Sequence, residues 1–256
     1  MEVRTCCFDL DGTLLNDKKQ IDSRTASAIQ EFRRRGGVII LASGREYKEI
    51  VPYSSLLELS DDDYIISNDG LYIYSGRGKL IREGCFLSKS DALKVLSCIE
   101  KKRAVIYAKE KVIRLETPHS VVKGIISGRK SLTSIVVSAF WLSRDIQIKK
   151  IQIREDPKHI EGKYVIHPAE AENRWDVLAS ETSKYHALFY LDKTGKIDVR
   201  HLIYFGDAGN DLEAFENLEM TVAMKNGIEL IKNTAKYIAA SNNESGVGEF
   251  LLSHVL

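Results

Sequence analysis

The stretch Phe8-Asp9-Leu10-Asp11-Gly12-Thr13 closes the first apolar run of the chain and sets two carboxylates two residues apart. Val3 to Phe8 is a short run rich in β-formers, so Asp9 falls at the carboxyl end of a strand. Leu10 is expected to point into the protein, and Gly12 permits a sharp turn away from the strand. Two carboxyl groups at this spacing can do different work around one phosphorus atom. One can attack it and form an acyl phosphate, and the other can protonate the departing alcohol.

Reading outward, Asp22 or Ser23 caps a helix running to about Arg35, with Ile29 and Phe32 on one face and Gly36-Gly37 as its stop. Val38 to Ala42 is continuously apolar, as a strand buried on both faces should be, and Ser43-Gly44-Arg45 follows it. A helix broken at Pro52 is expected over 46–59. The strand Tyr64-Ile65-Ile66 leads into Ser67-Asn68-Asp69-Gly70. Strand, helix, strand, helix, strand predicts a parallel α/β sheet.

The pattern changes after residue 70. Leu71 to Tyr74 and Leu80-Ile81 read as a hairpin, and Ser88 with Asp91 as a cap for a helix with Leu93, Leu96 and Ile99 on its face. Strands are expected near 104–108, 112–116, 134–140, 146–153, 163–167 and 174–179, with a helix near 118–126. This mixture suggests an α+β insert. The α/β pattern then resumes with a helix near 183–192 and the strand Leu202 to Phe205, which ends in Gly206-Asp207-Ala208-Gly209-Asn210-Asp211. A helix near 227–235 and short strands on either side of it complete the chain.

Ligands bind at the carboxyl ends of strands in open parallel sheets. Four such ends carry suitable groups: Asp9 and Asp11; Ser43 and Gly44; Asn68 and Asp69; Asp207, Asn210 and Asp211. Carboxylates gathered in a cleft repel one another unless a cation lies between them. An oxygen-only donor set without His or Cys selects Mg²⁺. A hydroxyl and a free N–H at Ser43-Gly44 suit phosphate oxygens, and a lysine would balance the charge. The expected chemistry is phosphoryl transfer, which depends on positioning and charge neutralisation.

The composition narrows the alternatives. The 256 residues carry 37 Lys+Arg against 36 Asp+Glu, a formal charge of +1, so no global basic field draws the chain to nucleic acid or anionic lipid. The four cysteines form no CxxC pair and the six histidines are dispersed, which argues against a zinc site and for reduced thiols in a cytoplasmic setting. No membrane span or signal peptide is read.

Phe8 to Leu15 resembles motif I of the haloacid-dehalogenase-like (HAD) hydrolases. Ala42-Ser43-Gly44-Arg45 is similar to the family's hydroxyl-Gly-Arg motif II, and Gly206 to Asp211 resembles its GDxxND motif IV. Ala223 to Gly227 and Asn242 to Val247 look like the Cof-type (subfamily IIB) branch. The motif III lysine of that branch starts a helix about two dozen residues before the GD pair. Lys184 fits that register; Lys193 and Lys196 lie too close to Gly206.

The resemblance implies a Rossmann-like α/β core over 1–82 and 180–256, with an α+β cap of C2B type at 83–179. It also implies a Mg²⁺-dependent phosphatase of small phosphorylated metabolites, with sugar phosphates foremost. Asp9 would attack phosphorus and ligate Mg²⁺. Asp11 would act as acid and then base, its carbonyl on the metal. Asp207 would be the other main ligand, helped by Asp211. Ser43, Gly44 and Lys184 would hold the phosphoryl group, and Asn210 would touch the phosphate or Lys184. Asn68 and Asp69 are candidates for contact with substrate, and Lys150, Arg154, His167 and Arg174 for reading the leaving group. Three departures from the pattern stand out: Ser43 for threonine, Tyr185 after the lysine, and Asp69 for asparagine, which adds negative charge near the leaving group. A phosphomutase, a phospho-accepting signalling module and an inactive binding protein are the rival readings. The expected assembly is a monomer or small homo-oligomer.

Overall fold

The computed structural model describes residues 2–99, 104–115, 146–154, 157, 160, 162, 164–168 and 174–256. The chain divides into two compact units, Met1–Gly84 with Thr182–Leu256, and Cys85–Glu181.

The first unit is built on an eight-stranded sheet. Its strands are β1 (Thr5–Asp9), β2 (Val38–Ala42), β3 (Tyr64–Ser67), β4 (Tyr72–Ser75), β5 (Leu80–Glu83), β11 (Leu202–Gly206), β12 (Met220–Met224) and β13 (Tyr237–Ala239), in the spatial order β13-β12-β11-β1-β2-β3-β4-β5. Pairing is parallel from β13 to β3. The expected hairpin is the antiparallel extension β3-β4-β5, because a connection of a few residues can only reverse the chain.

The central strands are apolar throughout because both faces are covered. Cys6 and Phe8 of β1 join Ile203 and Phe205 of β11 in one hydrophobic cluster. Cys7, Leu202 and Tyr204 join the cluster on the opposite face. Helices α1 (Ser23–Arg34) and α7 (Gly246–His254) contribute Ile29, Phe32, Phe250 and Leu251 to the first cluster. Helices α4 (Lys184–Lys193), α5 (Leu212–Asn217) and α6 (Glu229–Thr234) contribute Leu188, Leu191, Phe215 and Ile231 to the second. Asp22 caps α1 by accepting from the Thr25 N–H at 2.9 Å.

Pro52 does not interrupt its helix: α2 runs unbroken over Tyr47–Leu56. The Glu46 N–H donates to Glu49 Oε2 at 3.0 Å across its first turn, and a ten-residue helix absorbs the one hydrogen bond that proline removes.

The second unit carries an antiparallel sheet in the order β7-β6-β8-β10-β9. Its strands are β6 (Ala104–Ala108), β7 (Val112–Leu115), β8 (Ile148–Ile153), β9 (Tyr164–Pro168) and β10 (Trp175–Ala179). Helix α3 (Lys89–Cys98) packs Ala92 and Val95 into its core, together with Ile99 just past its end. Leu93, expected on that face, is exposed, because the buried stripe runs through 92, 95 and 99 and position 93 turns away from it. The expected helix at 118–126 and strand at 134–140 lie outside the described residues. No described helix is long and apolar enough to cross a membrane.

Candidate active site

Strands β11, β1, β2 and β3 are neighbours, so their carboxyl ends lie side by side and gather residues far apart in the chain. Asp9 is the last residue of β1; Ser43, Asn68 and Asp207 directly follow β2, β3 and β11.

Lys184 lies at the centre. It is the first residue of α4 and is wholly buried. Its Nζ donates to Asp9 Oδ1 at 2.6 Å and to Asp211 Oδ1 at 2.7 Å. Burial favours the neutral amine, but Asp211, Asp9 and Asp69 outweigh it and hold the ammonium form. One oxygen from each of Asp9, Asp207 and Asp211 lies within 4.8 Å of the others. Burial, then Asp211 and Asp207, push the Asp9 carboxyl well up, against the pull of Lys184. Burial, then Asp211, push Asp207 up to about 7, while a 2.8 Å hydrogen bond from Thr13 Oγ1 opposes the rise. This is a surplus of negative charge that one lysine does not balance. An oxygen-only donor set with that surplus fits a hard divalent cation.

Asp211 is enclosed differently from the other two. Its Oδ1 accepts from Lys184 and from the Tyr204 hydroxyl, and its Oδ2 from the N–H groups of Asp207 and Ala208, both at 3.0 Å. It folds the loop after β11 and holds Lys184. Gly12 has a φ of +78°, and a Cβ there would stand 2.3 Å from Asp207 Oδ2, so the loop after β1 reaches this carboxylate only as glycine.

Asp11 is engaged by cations. Arg45 donates through Nε at 2.6 Å and Nη2 at 2.5 Å, and Lys19 Nζ donates at 2.5 Å. Burial would raise its carboxyl, but these hydrogen bonds outweigh burial and hold it below the usual carboxylate range. Ser43 is buried, and its Oγ accepts from the Arg45 N–H at 3.2 Å.

Asn68, Asp69 and Gly70 take consecutive left-handed conformations, with φ of 49°, 54° and 98°. The Asn68 and Asp69 N–H groups donate to the carbonyls of Arg45 and Ser43, which docks this turn on the loop after β2. The buried Asp69 carboxylate lies against Gly44 and accepts from Asn210 Nδ2 at 3.0 Å. The Asn210 amide is therefore engaged by Asp69 rather than by Lys184.

Sequence reasoning missed three supporting groups: Thr13 on Asp207, Lys19 on Asp11 and Tyr204 on Asp211. Thr13 lies inside the quoted motif and was open to notice. Lys19 and Tyr204 lie only eight and seven residues from their partners but belong to no motif, and the conformation of the intervening loop, not residue spacing, brings each to its carboxylate. Asn226 spans two loops, donating to the Gly12 carbonyl at 2.7 Å and accepting from the Asn242 N–H at 3.0 Å. In the second unit, Lys150 pairs with Asp176 at 2.6 Å, Arg154 is exposed, Arg174 is half-buried and His167 is buried.

Residues 6–251 match the family model described as haloacid dehalogenase-like hydrolase. The chain belongs to that family. This HAD hydrolase is 23% identical over 275 residues to the pyridoxal phosphate phosphatase YbhA of Escherichia coli, covering all of both chains. It is 27% identical over 257 residues to the 5-amino-6-(5-phospho-D-ribitylamino)uracil phosphatase YitU of Bacillus subtilis, covering 95% and 94%. A solved haloacid dehalogenase-like hydrolase from B. subtilis shares the fold, with a TM-score of 0.76 and 20% identity over 99% of this chain and 100% of that one. The protein is an enzyme, a HAD-type phosphoric monoester hydrolase.

Proposed function

We propose that this HAD hydrolase is a Mg²⁺-dependent phosphatase of small phosphorylated metabolites, sugar phosphates foremost, acting through an aspartyl phosphate on Asp9. The observation that carries this reading is the buried Lys184, 2.6 Å from Asp9 and 2.7 Å from Asp211 in a cluster with Asp207. A surface lysine or a solvated turn would not create such an arrangement.

Asp9 and Asp207 would hold the cation together with the main-chain carbonyl of Asp11. Asp211, its four acceptor positions filled, supports the loop and Lys184. The bound cation supplies charge neutralisation at the phosphoryl oxygens. A carboxylate oxygen of Asp9 attacks phosphorus as the bond to the leaving oxygen breaks, and Asp11 gives that oxygen a proton. Water then attacks the aspartyl phosphate, its proton passes to Asp11, and phosphate leaves with Asp9 restored. Ser43, the Gly44 N–H and Lys184 hold the phosphoryl oxygens throughout. Asp11, paired with Arg45 and Lys19, is held ionised, so it must first take up a proton, from solvent or from the phosphate monoanion of the substrate; once it has given that proton to the leaving oxygen it is the base that the second half requires.

In this reading the second unit, Cys85–Glu181, close to the 83–179 expected from the sequence, is a cap that reads the leaving group. The relatives named for pyridoxal phosphate and for a phosphoribitylamino-uracil widen the panel beyond simple sugars. Phosphate release should be measured across phosphorylated sugars, nucleotides and cofactors, with Mg²⁺, with EDTA, and with Asp9→Asn. Release that needs Mg²⁺ and vanishes in the variant is expected. Folded protein that releases no phosphate from any compound would overturn the reading, and conversion of sugar bisphosphates without release would identify a mutase.

A further inference from the structure

Tyr204 heads the fully buried side chains of the described residues in size. It lies mid-strand in β11 on the face covered by α4 and α5, its ring edge-on to Phe215 with centroids 5.8 Å apart. Packing alone explains an aromatic ring at this position, but a hydroxyl there also needs an acceptor. Its acceptor is Asp211 Oδ1, at 2.6 Å, the same oxygen that receives Lys184 Nζ at 2.7 Å. The other oxygen is fixed by two backbone N–H groups. A carboxylate so filled cannot rotate without breaking a buried hydrogen bond. The Lys184 ammonium is therefore located between a fixed Asp211 and the attacking Asp9.

We propose that Tyr204 is a positioning residue that, through Asp211, sets how far the Lys184 ammonium is available to Asp9 and to a phosphoryl group. This rests on the reading of Lys184 as a phosphoryl-holding residue. Without the hydroxyl, Asp211 Oδ1 directs its whole charge at Lys184. The ammonium is drawn toward Asp211, leaving less of it for Asp9 and an incoming phosphate.

The test compares wild type, Tyr204→Phe and a site-specific 3-fluorotyrosine at 204. Inorganic phosphate affinity is measured by calorimetry with Mg²⁺ present, and the ¹⁵Nζ resonance of Lys184 by NMR without ligand. Tyr204→Phe keeps the ring and leaves Asp211 paired with Lys184. It should bind phosphate about tenfold more weakly, the scale of one hydrogen bond to a charged group. Its Nζ resonance should move, while half-saturation by Mg²⁺ stays within about twofold because Asp9 and Asp207 are untouched. Fluorotyrosine keeps the hydroxyl and makes it a stronger donor, so it should move the resonance the opposite way. A folded Phe variant with unchanged phosphate affinity and an unmoved Nζ resonance would overturn the proposal. If the Phe variant does not fold, a fluorotyrosine protein with an unmoved resonance overturns it instead. Wild type that fails to bind phosphate would reject the function proposed above, while the ligand-free resonance still reports on the Tyr204–Asp211–Lys184 link.

Discussion

Asp207→Asn should stabilise the metal-free protein at alkaline pH while abolishing its activity. Burial first, and the Asp211 carboxylate next, raise Asp207 from its ordinary 3.8 to about 7. Because the folded value lies above the unfolded one, the protonated carboxyl favours folding. That contribution is complete below about pH 4 and is lost as pH climbs through about 7. The rise corresponds to about 4 kcal/mol against the folded state at pH 8. Asparagine keeps the shape and an oxygen for the Thr13 hydroxyl, which donates at 2.8 Å, but carries no charge. Part of the strain is already shared with Asp9, whose proton affinity is raised by the same cluster. In EDTA at pH 8 the variant should therefore be more stable by roughly 2–4 kcal/mol, and by less than about 1 kcal/mol at pH 4. Urea unfolding followed by far-UV circular dichroism measures both. Mg²⁺ should then stabilise wild type at pH 8 and leave the variant unchanged. A variant no more stable than wild type at pH 8 in EDTA would refute the charge-surplus argument, and with it the reason for placing a cation there.

Three further outcomes follow from the same geometry. Lys184→Met strands two buried carboxylates and should destabilise the protein by about 3 kcal/mol in urea unfolding with EDTA. It should also cut phosphate release by about a thousandfold in steady-state assays. Arg45→Met removes two hydrogen bonds from Asp11, whose lowered value contributes stability above its ordinary range that fades as pH falls. The variant should lose about 1 kcal/mol at pH 7 and progressively less as pH falls below about 4, read from urea midpoints across that range. Gly70→Ala places a Cβ 2.0 Å from the Ser183 carbonyl oxygen at a φ of +98°. It should cost more than the ~1–2 kcal/mol of left-handed strain alone and lower kcat through displacement of Lys184, measured by melting and initial rates.

The one-dimensional pattern determined the alternation of strand and helix, the apolar strands β1, β2 and β11, and the polar residues at their ends. Burial on both faces leaves a continuous apolar run, and a parallel strand must deliver its next residues to one edge of the sheet. For that reason Asp9, Ser43, Asp69 and Asp207 are grouped together by the linear pattern itself. Lys184 was legible only through the register of its motif. Tertiary structure decided how the groups are shared. It placed Asp11 between Arg45 and Lys19, gave Asn210 to Asp69, and filled Asp211 with Tyr204 and two backbone N–H groups. It also carried α2 straight through Pro52 and turned Leu93 to the surface. Strand and helix periodicity are local properties written along the chain. Hydrogen-bond partners 34 to 194 residues apart are chosen by which strand ends the folded sheet brings together.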